Sequence, residues 1–298
     1  MPRSPTRLSR TGAPVRVSFE FFPPKTEEME KTLWEAITRL APLSPNFVSV
    51  TYGAGGTTRE RTHATVQRII DETTLKPAAH LTCVGATRQE IDAVVAGYGD
   101  AGVRHIVALR GDPPGGLDTP YAAPEGGYQK TEDLIRAIKR AGDFEVTVGA
   151  YPEKHPQSPN LLHDVENLKR KIDAGADRAI TQFFFDNSVY FRFLDLAAAA
   201  GISIPIVPGV VPVQNFKQTA GFARRNGASV PDWLAQRFEG LDDDLATRRL
   251  VAAAVCAEQV LDLVDRGVED IHFYTMNRAD LVFAICHLMG LRAGKFIL

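Results

Sequence analysis

Residues 145–185, EVTVGAYPEKHPQSPNLLHDVENLKRKIDAGADRAITQFFF, decide the fold. EVTVGAYP (145–152) and RAITQFFF (178–185) are short β-rich runs, apolar at nearly every position, which suits parallel strands covered on both faces. Between them Leu161, Val165, Leu168 and Ile172 recur at +4, +3 and +4, so a helix there carries one apolar stripe to lay on a sheet. Strand, helix and parallel strand make one βαβ unit.

The same unit recurs in both directions along the chain. VRVSFEFF (15–22), FVSVTYG (47–53), AAHLTCVG (78–85), HIVALRG (105–111), PIVPGVVP (205–212) and IHFYTMN (271–277) bring the strand runs to eight. Amphipathic segments such as EEMEKTLWEAITRLAP, RERTHATVQRIIDET and TEDLIRAIKRAG lie between them, several ending at Gly as capped helices do. Eight such units predict an α/β fold, a (β/α)8 TIM barrel. The interval from Pro212 to Ile271 holds extra helices between strands 7 and 8: NFKQTAGFARRNG, PDWLAQRFEGL and a long Ala-rich helix from about Asp243. An open doubly wound sheet fits less well, because no Gly-rich dinucleotide fingerprint follows the first strand. With no linker or longer repeat, residues 15–298 read as a single catalytic domain behind a flexible arm, residues 1–14, rich in Arg, Pro and Ser.

Composition excludes several classes of function. The 298 residues carry 34 Lys+Arg against 36 Asp+Glu and are 44% hydrophobic, as ordinary globular proteins are. Near-neutral charge without a basic run argues against nucleic acid or a membrane as partner, so a small molecule is expected. Cys83, Cys256 and Cys286 lack any zinc or disulfide spacing, and no apolar run has the length of a signal core or membrane span. His63, His105, His163, His272 and His287 form no ligand pattern, and His80 with Cys83 falls on opposite faces of a strand, so no metal is expected. A cytoplasmic protein is expected.

In a barrel of this kind the chemistry sits at the C-terminal ends of the strands. Those ends offer Glu20, Thr51, Tyr52, His80, Arg110, Asp112, Tyr151, His155, Gln182, Tyr274 and Arg278. Glu20 stands among Phe19, Phe21 and Phe22, a setting that would strip water from the carboxyl and suit it to proton donation; pairing with a neighbouring cation accounts for it equally. GAGGTTR (53–59) partly resembles a phosphate-gripping turn, but a tight strand-to-helix loop explains it as well. Asn160, Asp164, Asn167 and Lys171, spaced +4, +3 and +4 beside Arg170, form a polar stripe whose default reading is a solvated face.

Taken in order, SFEFFPPKTEEMEKTLW, FVSVTYGAGGTTRERT, HLTCVGAT, IVALRGDPP, AYPEKHP, NLKRKIDAGADRAITQFFFD, PGVVPVQNFKQ, GLDDD and HFYTMNRA resemble the methylenetetrahydrofolate reductase family in its short bacterial form, from about Val17 to the C-terminus. The resemblance implies a homo-oligomeric FAD enzyme that reduces 5,10-methylenetetrahydrofolate to 5-methyltetrahydrofolate with NADH or NADPH by a ping-pong mechanism. It makes Glu20 the general acid that opens the imidazolidine ring, and sets Asp112 beside the flavin as a pterin contact. Gln182, Gln218, Phe222, Tyr274 and Arg278 fall on the substrate side. Thr51, Tyr52, His80, Arg110, Gly111, Asp112, Tyr151, His155, Asp164, Asn167, Arg170 and Lys171 fall on the FAD site, which reassigns the polar stripe to a cofactor face.

Two departures from the family pattern stand out. Lys130 and Thr131 occupy positions where many relatives carry Tyr-Ala, and the chain ends at GLRAGKFIL without the regulatory domain of eukaryotic members, so feedback by S-adenosylmethionine is expected to be absent. Two alternatives use the same residues differently. One is a flavin-free pterin-binding barrel that transfers a one-carbon group; the other is a non-catalytic partner subunit, disfavoured by the retention of Glu20, Asp112 and Gln182.

Overall fold

The computed structural model describes residues 14–52, 59–113, 116, 119 and 121–294. The expected arm therefore lies outside the described residues except for Pro14, and so do residues 53–58 of the glycine-rich turn. Among the described residues no helix is long and apolar enough to cross a membrane.

Nine strands form one sheet: β1 Arg16–Phe21, β2 Val48–Val50, β3 Pro77–Thr82, β4 His105–Leu109, β5 Glu145–Ala150, β6 Arg178–Thr181, β7 Ile206–Val207, β8 Gly209–Val210 and β9 Asp270–Tyr274. Every pairing is parallel, in the order β7-β6-β5-β4-β3-β2-β1-β9-β8. The two ends of that order are neighbours in the chain, so the sheet curls into a nearly closed barrel whose seam is Pro208. The seventh run is thus split, not continuous as expected. Proline has no N–H for the ladder, so β7 pairs with β6, β8 pairs with β9, and the Pro208 carbonyl accepts from the His272 N–H at 3.0 Å.

The helices α1 Glu27–Leu40, α2 Arg59–Glu72, α3 Arg88–Asp100, α4 Thr131–Ala141, α5 Leu161–Asp173 and α6 Asn187–Ala199 follow the first six strands and cover the barrel. The long interval supplies α7 Phe216–Arg225, α8 Asp232–Phe238 and α9 Leu245–Asp265, packed around a small separate core that includes Phe183, Phe185, Leu234 and Phe238. A closing helix, α10 Ala279–Leu288, has no counterpart among the quoted segments because its pattern is apolar almost all round. Side chains cap the helices: Thr26 caps α1, Thr87 and Glu90 form a capping box on α3, and Asp186, Asn215 and Asp244 cap α6, α7 and α9. Asn160 also serves as a cap, accepting from the His163 N–H at 2.9 Å, so the polar stripe of α5 begins at Asp164.

Strand alternation divides the buried residues between two layers. Phe19 and Phe21, with no exposed surface, belong to the large core between sheet and helices. Val107, Ile180 and Val207 pack inside the barrel with Phe47 and Ala78. This corrects the local reading of Glu20: residues adjacent in a strand point to opposite faces, so Phe19 and Phe21 do not surround the carboxyl.

Candidate active site

A cavity of about 660 Å³ opens over the C-terminal ends of the strands. Its inner walls are apolar, built from Val107, Leu109, Val148, Ile180, Val211, Phe183, Phe222 and Tyr274. Gln182, Thr51, Tyr52 and His80 add polar groups, and Glu20 is the one carboxylate among the described lining residues. The Phe222 ring stacks on Phe183 with centroids 5.5 Å apart and keeps 40% of its surface exposed, so it forms an outer wall of the cavity on α7. Tyr274 is held in place by its hydroxyl, which donates to the Thr181 carbonyl at 2.8 Å. Burial pushes that phenol well above its ordinary range, with Glu20 adding to the effect.

The chain around Glu20 is tied down on both sides of the β1–β9 seam. The Thr275 hydroxyl donates to the Glu20 carbonyl at 2.6 Å. Asn277 extends the ladder with its side chain: its Oδ1 accepts from the Phe22 N–H at 2.8 Å and its Nδ2 donates to the Phe22 carbonyl at 2.9 Å. The price is paid at Met276 and Asn277, both in the left-handed region at φ 54° and 55°. Two imidazoles flank the carboxyl. His80 Nε2 lies 3.4 Å, and His272 Nε2 3.7 Å, from Glu20 Oε2. Burial lowers the pKa of His80, against the pull of Glu20.

A second cavity, about 1150 Å³, continues from the first across Tyr52, Leu109, Gly149, Ala150 and Tyr151, which line both. Its character is different: Arg110, Asp112, His155, Asp164, Asn167, Arg170 and Lys171 all face it, and so do Lys130, Thr131 and Glu132 at the start of α4. Arg110 donates to Gln157 Oε1 at 2.6 Å. Asp164 accepts from the His155 N–H at 2.9 Å and from the Ser158 hydroxyl at 2.5 Å, which fixes the loop ahead of α5. The His155 ring meets Tyr151 edge-on at 4.7 Å, and burial lowers the His155 pKa and raises that of Tyr151 to about 12. Arg170 donates to Asn167 Oδ1 and pairs with Glu132 at 3.2 Å. Lys171 donates to the Gly149 carbonyl at 3.0 Å, and burial brings its pKa down from 10.5 to about 8. Glu132 and Asp164 act on the ammonium in the opposite sense, favouring its charged form.

The polar stripe of α5 is therefore a cavity wall, not a solvated face. Glu20, Thr51, Tyr52, His80, Tyr151, Gln182, Phe222 and Tyr274 come together in the first cavity, and Arg110, Gly111, Asp112, His155, Asp164, Asn167, Arg170 and Lys171 in the second. Asp112 thus faces the polar cavity, where it bears on Tyr151, and not the one that holds Glu20. Gln218 and Arg278 line neither; Gln218 is exposed on α7, and Arg278 donates to Gln214 Oε1 at 3.2 Å. His272 is the residue a motif search overlooks. Its signal is positional: it lies two residues before Tyr274 and so on the same inward face of the last strand.

A parallel barrel with a cleft at the C-terminal strand ends, half apolar around a buried carboxyl and half polar around Arg110, Arg170 and Lys171, defines an enzyme of the (β/α) class with room for an extended organic ligand. A family model for methylenetetrahydrofolate reductase matches residues 7–290. The chain is 50% identical to 5,10-methylenetetrahydrofolate reductase of Escherichia coli (strain K12), over 96% of this chain and 95% of that one. It is 33% identical to methylenetetrahydrofolate reductase (NADH) 1 of Zea mays, over 92% of this chain and 48% of that one. Among solved structures, an uncharacterized protein from Clostridium thermocellum, described as binding two copies of 5-methyl-5,6,7,8-tetrahydrofolic acid, superposes with TM-score 0.62 at 16% identity, covering 95% of each chain. A 2,3-dimethylmalate lyase of the PEP mutase/isocitrate lyase superfamily gives TM-score 0.51 at 13% identity, over 92% of this chain and 77% of that one. These two share the barrel. The chain belongs to the methylenetetrahydrofolate reductase family and is an oxidoreductase of folate one-carbon metabolism.

Proposed function

We propose that this chain reduces 5,10-methylenetetrahydrofolate to 5-methyltetrahydrofolate with electrons from NADH or NADPH, through a bound FAD and in two separate half-reactions. The observation that carries the reading is the joined cleft, with one buried carboxyl at the apolar end and Arg110, Arg170 and Lys171 gathered at the polar end. FAD suits both ends: a flat ring system for the apolar half and an anionic diphosphate for Arg110, Arg170 and Lys171. When bound, FAD supplies the two-electron carrier that links the nicotinamide to the one-carbon unit. The maize relative carries NADH in its name, which favours that donor.

The residues of the chain have their own part in the folate half-reaction. The methylene carbon is bridged between two nitrogens, and it becomes electrophilic only when one C–N bond breaks. Glu20 gives its proton to the departing nitrogen, so the bonding pair leaves with a neutral amine and the carbon remains as an iminium. Gln182 and Tyr274 hold the pterin ring in the apolar cavity, Phe222 closes over it, and Asp112 acts from the neighbouring wall. Gln218 and Arg278, outside both cavities, reach the substrate only at its distal end. Removal of water by the apolar walls lengthens the life of the iminium.

Homo-oligomer assembly belongs to the same reading and is checked by sedimentation. So does a cytoplasmic setting, which three buried, free cysteines fit. The test of function is spectroscopic. The purified protein, supplied with FAD, should show a flavin band that anaerobic NADH or NADPH bleaches and methylenetetrahydrofolate restores. Failure to retain flavin, with pterin binding intact, would favour a flavin-free one-carbon transferase on the same barrel.

A further inference from the structure

His272 is fully buried, and no step above uses it. Its Nδ1 lies 2.8 Å from Ser18 Oγ, while its Nε2 has no hydrogen-bond partner and faces Glu20 Oε2 at 3.7 Å. The register of β1 against β9, which pairs Ser18 with His272 and Glu20 with Tyr274, sets these side chains next to one another on the inner face. The ring is wedged in place, stacked with Phe47 at 5.8 Å and edge-on to Tyr274 at 5.2 Å. We infer that His272 is a positioning residue for Glu20: the Ser18 hydroxyl donates to Nδ1, and the ring therefore carries its proton on Nε2, directed at the carboxyl.

The inference rests on the reading of Glu20 as proton donor. A neutral imidazole has one N–H and one bare nitrogen, and a hydroxyl that donates to the bare one settles where the proton sits. An N–H aimed at Oε2 restrains the carboxyl and favours its ionised form after the proton has gone to the substrate. The 3.7 Å separation is longer than a hydrogen bond. A small rotation of the carboxyl toward the ring closes it, as catalytic hydrogen bonds tighten in the loaded enzyme. Other titratable groups facing this spot are His80 from β3, Tyr274 from β9, and His105 from β4, which Arg178 of β6 also influences, and Ser49 of β2 stands in register with Glu20. A histidine serving only as packing under Phe47, its tautomer set by Ser18 alone, would show no link to the state of Glu20.

Long-range 1H–15N spectra of the histidine-labelled protein test this without turnover. The expected result is a bare Nδ1 and a protonated Nε2 on His272, with the Nε2 resonance moving in Glu20→Gln. A second readout is the pH at which the folate half-reaction fails on the alkaline side. Removing a donor to the carboxylate strengthens its hold on the proton, so His272→Phe should move that limb upward by about one pH unit, a tenfold change in proton affinity. Ser18→Ala should move it the same way by less, and decides the matter if His272→Phe does not fold. A proton on Nδ1, a resonance indifferent to Glu20→Gln, or an unmoved limb in the variants would overturn the inference. Were the wild-type protein inactive on methylenetetrahydrofolate, the proposed function would fall, and the tautomer and its response to Glu20→Gln would still decide the contact.

Discussion

Lys171 shows how one residue's surroundings foretell a ligand. Burial has brought its pKa to about 8, and an anion placed beside it would raise that value again. Below pH 8 the ammonium is already charged and anion binding takes up no proton; above it, binding requires proton uptake. Affinity for FAD, or for ADP as a probe of its anionic half, should therefore be flat below about pH 8 and fall as pH rises beyond it. In Lys171→Met the affinity should be weaker and this fall should vanish; titration calorimetry across pH 6–10 would settle it, with an unchanged slope counting against Lys171 as an anion contact. Asn277 makes a different kind of prediction. Its side chain replaces two ladder hydrogen bonds beside Glu20, so Asn277→Ala should lower stability by about 1–3 kcal/mol, measured by denaturant unfolding.

At the scale of an element, β8 does more than close the barrel. A Cβ on Gly209 would lie 2.3 Å from the Thr181 carbonyl oxygen and 2.5 Å from Tyr274 Cε2, so glycine here lets Tyr274 approach this strand closely where it lines the apolar cavity. Gly209→Ala should cost about 1–3 kcal/mol by overpacking. It should also raise the KM for the folate more than that for the nicotinamide, as Tyr274 is pushed from its place. Equal KM changes for both would argue that Tyr274 does not touch the pterin. α5 makes a second point at this scale. Its apolar stripe at Val165 and Leu168 was legible from spacing, but the fate of its polar stripe was not. Periodicity tells which residues share a face of a helix; only the packing of the loop at His155 against Asp164 turns that face into a cavity wall.

For the whole molecule, the buried histidines couple stability to pH. His105 is held neutral by burial, its pKa lowered to about 3, and burial also lowers those of His80, His63 and His155. The unfolded chain takes up protons at these sites near pH 6.5 while the native one does not. The stability they allow is thus fully present above pH 6.5 and is lost as pH falls toward 3. The melting temperature should decline through that window, and His105→Gln should make the decline shallower; an unchanged profile would mean that another group governs acid unfolding. The barrel itself was legible because strand runs and helix stripes are local patterns. The split at Pro208 was foreshadowed by the proline inside PIVPGVVP, yet which neighbour each half would pair with depends on closure. The surroundings of Glu20 were misread for the same reason: adjacent phenylalanines in sequence lie on the far face, and the groups that do meet the carboxyl come from residues 80 and 272, strands away.

The measurement that bears most directly on the reaction assigned to this cleft is stopped-flow kinetics of the two half-reactions in Glu20→Gln. The amide keeps the shape of the side chain and removes the proton. Reduction of the flavin-loaded protein by nicotinamide should proceed within a few-fold of wild type, while reoxidation by methylenetetrahydrofolate should slow by about 100-fold or more, the scale of a lost general acid. Reoxidation at near wild-type rate would contradict the assignment and leave the buried carboxyl without a part in the chemistry.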